Sequence, residues 1–177
     1  MISQIVMIIA LISIWLSLAW GLVIHFSAVH FWFKHSDFRV NTDPLPYYPK
    51  VTIVVPAHNE DVVIAQTAKA ILDMNYPHDR VELLLFADNC SDRTYEECLA
   101  VKALPEYAGR DLTIINRSGT GGKAGVLNDA LAMATGDYIC VYDADAMPEK
   151  NALYFLVKEV LKDPERHVAS FGRNKTR

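Results

Sequence analysis

The sequence predicts an α/β fold, a parallel sheet covered by helices on both faces and preceded by one membrane-spanning helix. Three observations predict it. Residues 1–33 contain no Asp, Glu, Lys or Arg. From Val51 onward, short apolar and β-branched runs alternate with stretches of helical character, the pattern of βαβ units. Acidic, amide and glycine residues collect just after the runs, at the strand ends where ligands bind in wound sheets.

The elements follow in order. Residues 5–24 are almost unbroken Ile, Leu, Val, Met, Ala and Trp, and about 20 such residues cross a bilayer as a helix. Phe31, Trp32 and Phe33 sit where an interfacial belt is expected. A cleaved signal peptide fits poorly, because no basic segment precedes the stretch and it exceeds an h-region of roughly 7–15 residues. Lys34, Arg39 and Lys50 follow the span and no basic residue precedes it, which places the remainder on the cytoplasmic side of the cell membrane. The domains are therefore a transmembrane helix at 1–33, a juxtamembrane linker at 34–50 interrupted by Pro44, Pro46 and Pro49, and an α/β domain at 51–177.

Within that domain, strands are expected at 51–55, 81–87, 112–115 and 138–142, with a fifth opening at 168–171. Helices are expected at 61–74, from Ser91 or Asp92 to about Leu104, at 122–135, and from Pro148 to Leu161. Pro56 closes the first strand and Gly136 stops the third helix.

Composition narrows the function. With 17 Lys+Arg against 21 Asp+Glu the net charge is −4, so there is no basic footprint and nucleic acid is not an expected partner. Cys90, Cys98 and Cys140 are odd in number and form no CxxC pair, against a disulfide framework or a structural zinc site and in keeping with a reducing compartment.

Four clusters carry the candidate chemistry. Asp143 and Asp145 follow the fourth strand two residues apart, so persistent extended geometry would aim both carboxylates the same way. Such a pair suits Mg²⁺ or Mn²⁺ completed by water and phosphate oxygens; the competing interpretation is one helix cap and one solvated Asp. The stretch from Arg117 to Ala124 is a Gly-rich turn opening a helix, where backbone N–H groups and Lys123 favour an anion. It is not a Walker loop, but Gly119, Gly121 and Ala124 match G-x-G-x-x-A, which keeps a nicotinamide-dependent oxidoreductase as a third possibility. Asp88 ends the second strand and suits a base N–H or a ribose hydroxyl, while Asp92 suits the same or a helix cap. Ala57 would let a flat ring approach the backbone, and Glu60 would bind ribose or act as a first-turn acid.

Together, Val51 to Glu60, Ala87 to Asp92, Gly122 to Asn128 and Tyr142 to Asp145 resemble the first half of family 2 glycosyltransferases, over about residues 51–172. The nearest flavour is the membrane-anchored type similar to cellulose, chitin, hyaluronan and poly-N-acetylglucosamine synthases. The resemblance implies a Rossmann-like GT-A sheet and a nucleotide-diphosphate sugar donor, usually a UDP-sugar, with a glycan or lipid acceptor. By position, Ala57 and Glu60 would border the nucleoside, Asp88 would read the base and Lys123 would meet the diphosphate. Asp143 would lie near ribose and diphosphate, and Asp145 would bind the metal. The acidic base motif of the family and its Gln-x-x-Arg-Trp motif are not found, so the base is expected beyond Arg177 and no catalytic residue is assigned. Two alternatives to a self-sufficient transferase follow: a truncated donor-binding half, or a non-catalytic subunit whose partner polypeptide supplies the acceptor half.

Overall fold

A computed structural model describes residues 2–35, 42–166 and 169–172. The chain divides into two compact units, residues 1–43 and 44–177. The first contains helix α1, Ile2–His35. Its 34 residues span about 51 Å at 1.5 Å per residue, well beyond the roughly 30 Å of a hydrocarbon core. Large apolar side chains such as Ile8, Ile12, Trp15 and Leu22 are exposed all round it, and by length and composition it is able to cross a membrane. Arg39, one of the flanking basic residues, lies outside the described residues.

The second unit runs β1 (Val51–Ala57), α2 (Ile64–Leu72), β2 (Val81–Asp88), α3 (Thr94–Lys102), β3 (Asp111–Arg117), α4 (Gly122–Met133), β4 (Tyr138–Val141) and α5 (Ala152–Val160). The sheet has the order β3-β2-β1-β4 and its pairings are parallel, with Val51 opposite both Val81 and Tyr138. This is the parallel wound sheet that the alternating pattern predicts. Right-handed crossovers decide where the helices go. Stepping outward from β1 to β2 to β3 puts α2 and α3 on one face, and crossing back to β4 puts α4 on the other. The two cores show that division. Val51, Ile53, Val55, Leu83 and Leu85 pack with Ile64, Ala68, Ile71, Cys98, Val101, Leu153 and Val157, whereas Val54, Leu84 and Phe86 pack with Val126 and Ala130.

Several boundaries differ from expectation for physical reasons. β1 continues through Pro56, which pairs with Phe86. Tyr142 N–H donates to the Val54 carbonyl, so Val54 faces β4. Pro56, two residues on, faces the same side beyond the last β4 partner, Val141, where no ladder donor is needed. α5 starts at Ala152 rather than Pro148. Asn75 bonds to the segment just before the helix, its N–H donating to the Lys150 carbonyl at 2.7 Å and its side-chain amide to Asn151 Oδ1 at 2.9 Å. Of the expected fifth strand, Val168 lies outside the described residues and 169–171 carry no strand.

At the amino-terminal end of the sheet an acid is buried. Glu82 is 6% exposed and lies opposite Thr52, whose hydroxyl donates to it. Thr135 N–H also donates to Glu82 at 2.9 Å, and Gly136 N–H donates to Thr52 Oγ1 at 2.9 Å. Lys50 Nζ, 3.0 Å from Asp111, donates to Thr135 Oγ1 at 2.8 Å. Burial pushes the Glu82 carboxyl up, but these donors and the Lys50 charge outweigh it and hold the group below its ordinary value. Residues 44–50 pack into this end: Leu45 is buried, and Tyr76 donates to the Pro49 carbonyl at 2.8 Å. A cavity of about 110 Å³ bordered by Val51, Tyr138, Leu153 and Val157 lies here too, at the end opposite the candidate site.

Candidate functional site

The carboxyl ends of the strands carry four loops, and the order β2-β1-β4 puts the switch point between β1 and β4. Two asparagines stitch the first three loops together. Asn59 and Asn89 have left-handed backbones, φ 57° and 50°, a conformation Asn tolerates when its short amide bonds nearby. Asn59 Oδ1 accepts from the Ser91 N–H at 2.8 Å. The Asn89 amide donates to the Gly119 carbonyl at 2.8 Å and accepts from its N–H at 3.2 Å. His58 Nδ1 donates to the Asp88 carbonyl at 2.7 Å.

Each residue singled out from the sequence has a definite place on this rim. Ala57 is 3% exposed, paired with Ala87, and forms a wall with its carbonyl accepting from the Cys90 thiol at 3.6 Å. Glu60 bonds through its backbone: its N–H donates to Thr94 Oγ1 at 2.8 Å, and its carbonyl accepts from Val63 and Ile64 where α2 begins. Asp92 lies just before Arg93, the N-cap of α3, and accepts from the Thr94 N–H at 3.0 Å and the Thr94 hydroxyl at 2.6 Å. Burial pushes its carboxyl up, but the Thr94 bonds and the Asp61 N–H hold it below its ordinary value.

Asp88, 6% exposed, pairs with Arg117 at 2.7 Å. Lys123, in the first turn of α4, forms an ion pair with the exposed Asp143. Extended geometry does not persist past β4. Ala146 N–H donates to the Asp143 carbonyl at 3.0 Å, so Asp143, Ala144 and Asp145 form a turn. Ala144 is buried, and its carbonyl accepts from the Thr67 hydroxyl of α2 at 2.6 Å. Both Asp side chains stay at the exposed surface of that turn.

Arg117 is the residue that sequence reasoning missed. Its guanidinium is spread over three partners: Asp88 Oδ1 at 2.7 Å, Asp129 Oδ2 of α4 at 2.6 Å, and the Thr120 carbonyl at 3.0 Å. The two carboxylates, Asp129 foremost, hold its proton more tightly than usual. The glycines above it are spaced for this side chain. A Cβ on Gly119 would stand 2.7 Å from Arg117 Cζ, and one on Gly125 would stand 2.7 Å from Nη2 and 2.4 Å from the Thr120 oxygen. Gly121 serves differently, with φ 88° at the helix N-cap. Gly125, six residues after Gly119, was the available signal for a bulky group beneath the loop.

For a metal, the residues that could supply oxygen donors are Asp143 and Asp145, both exposed. Among the described residues no group of three or more His, Cys, Asp or Glu gathers as a metal cage. Two hard oxygen donors on an exposed turn fit an ion that draws its other ligands from water and phosphate, as Mg²⁺ and Mn²⁺ do.

A wound parallel sheet with acidic, basic and glycine-bearing loops at its switch point is the framework of nucleotide-binding α/β proteins. The profile of Glycosyl transferase family 2 matches residues 52–175, and the chain belongs to that family. It is 44% identical over 115 residues to the "Probable glycosyltransferase YdaM" of Bacillus subtilis (strain 168), covering 65% of this chain and 27% of that one. It is 37% identical over 111 residues to the "Beta-monoglucosyldiacylglycerol synthase" of Trichormus variabilis, covering 62% of this chain and 23% of that one. The chain thus spans about a quarter of the length of these curated relatives. Among solved structures it is similar to the mannosyltransferase PcManGT from Pyrobaculum calidifontis, in complex with GDP-Man and Mn²⁺. That match has a TM-score of 0.60 and 28% identity, over 81% of this chain and 42% of that one. The GT-A sheet implied by the resemblance is the fold observed.

Proposed function

We propose that the chain is the donor-binding region of a membrane-anchored glycosyltransferase that moves a sugar from a UDP-sugar to a glycan or lipid acceptor with inversion. The observation that carries this reading is the joining of four loops at one rim, with Asp88, Lys123, Asp143 and Asp145 on them. Glycolipid synthesis by the Trichormus relative supports a lipid among the acceptors. The long apolar α1 supports anchoring, with the sheet domain on the cytoplasmic side.

In this reading Ala57 and Glu60 border the nucleoside and Asp88 accepts from the base. Lys123 leaves Asp143 to meet the diphosphate, at the amino-terminal end of α4 where anions are favoured. Asp143 and Asp145 would hold Mg²⁺ or Mn²⁺, which would supply positive charge beside the departing diphosphate. The acceptor oxygen attacks the anomeric carbon and gives its proton to a base. The bond to the diphosphate breaks with its electron pair on the phosphate oxygen, where Lys123 offsets the new charge.

The test is calorimetry on the full chain with UDP, with and without Mn²⁺. Manganese is expected to tighten UDP binding, and Asp145→Ala is expected to abolish that gain. Binding indifferent to both would count against the reading, and preferential binding of NADH would favour an oxidoreductase instead.

A further inference from the structure

Resting on that donor-binding reading, we propose that Arg117 is a positioning residue: it fixes the base-reading carboxylate and the diphosphate-facing loop as one unit, and so sets the choice of base. Three observations carry this.

The first is the state of the Asp88 carboxylate. Both of its hydrogen bonds, from Arg117 Nη1 at 2.7 Å and from the Asn89 amide at 3.2 Å, go to Oδ1. Among the described residues the one buried side-chain N or O atom lacking a partner is Ser170 Oγ. Asp88 Oδ2, with no hydrogen bond, therefore reaches solvent at the rim. The side chain is anchored by one oxygen and presents the other.

The second is the reach of the guanidinium. A planar fork holds its partners at fixed angles. Here it spans the end of β2 through Asp88, α4 through Asp129, and the loop carbonyl of Thr120. Asp88 cannot rotate without disturbing the support of the loop that opens α4.

The third is room. The loop closes over the guanidinium because positions 119 and 125 carry no Cβ, which would otherwise stand 2.7 Å from guanidinium atoms. Arg117 is also shielded, with a side chain only 12% exposed, so it supports the site from beneath.

The chemistry that follows is selective. A single ion-paired carboxylate oxygen is an acceptor only. It takes the ring N–H of uracil or guanine, and it meets a lone pair on the corresponding ring nitrogen of cytosine. Base choice then depends on Oδ2 being held at one angle, which is the work of Arg117.

The experiment is calorimetry on the full chain in detergent with UDP, CDP and uridine, alongside thermal melting. Wild type is expected to prefer UDP over CDP and to bind UDP more tightly than uridine. Arg117→Gln is expected to lose about tenfold in UDP affinity, the scale of one charge-assisted hydrogen bond. It should also lose the UDP-over-CDP preference and much of the advantage of UDP over uridine. In the double variant with Asp88→Asn, UDP affinity should fall no further than in Asp88→Asn alone. Arg117→Lys keeps the charge, loses the fork and should show the same loss of preference; it is the readout if the glutamine variant does not fold. A folded Arg117 variant that weakens UDP and CDP equally, or neither, overturns the proposal, as does an additive double variant. Wild type that binds no nucleotide overturns the donor-binding reading itself, and that is seen before any variant is made.

Discussion

Gly136 has no room for a side chain. A Cβ there would stand 2.5 Å from Thr52 N and 2.8 Å from Thr52 Oγ1, beside the buried Glu82. Gly136→Ala is therefore expected to destabilise the fold by about 1–3 kcal/mol, read as a lower denaturant midpoint. Glu82 itself gives a pH signature. Its folded carboxyl is held below its unfolded value, so its contribution is fully present above the unfolded pKa, roughly 4.3. That contribution is lost as pH falls through the folded value. The stability gap between wild type and Glu82→Gln should be widest near neutral pH and close in acid; a gap constant with pH would refute this. The thiols differ as well. Burial pushes Cys98 up to about 12 and Cys140 up to about 11, while Cys90 is half-buried on the rim. A thiol reagent should modify Cys90 first, and UDP should slow that reaction, as mass mapping of the labelled sites would show. The sequence made the rim acids conspicuous because each follows an apolar run. Glu82 and Arg117 were not conspicuous, because their meaning lies in partners 30 and 53, and 12 and 29, residues away.

The elements divide in the same way. Strands appear where continuous apolar runs put them, because local pattern and burial agree at β1, rich in Val and Ile, and at β2, rich in Leu. Helix starts are less legible, since tertiary bonds decide them: Asn75 delays α5, and α2 begins at Ile64 after the Glu60 carbonyl turn. The turn after β4 shows how one element serves another. Thr67, buried in α2, donates to the Ala144 carbonyl and so fixes the two flanking carboxylates. Thr67→Val keeps the shape and removes the donor. It is expected to shrink the manganese-dependent gain in UDP affinity several-fold, with a stability loss of about 1–3 kcal/mol from the orphaned carbonyl. Titrations with and without Mn²⁺ separate the two effects; an unchanged manganese gain would show that the turn holds itself.

At the scale of the whole molecule, α1 and the sheet domain are separate units with separate tests. The exposed apolar surface of α1 predicts that the chain stays in the membrane pellet after alkaline extraction. Replacing Ile8 and Ile12 with Asp should release a substantial fraction; release of the unmodified chain would argue against a span. The strand order has a consequence for how the domain is made. β1 lies between β2 and β4, yet Lys50 and Asp137, which join its start to β4, are 87 residues apart. At a synthesis rate of roughly 5–20 residues per second, β1 leaves the ribosome several seconds before its second neighbour. Through that interval one flank of the future central strand stays open to wrong partners, a window in which a chaperone has something to hold.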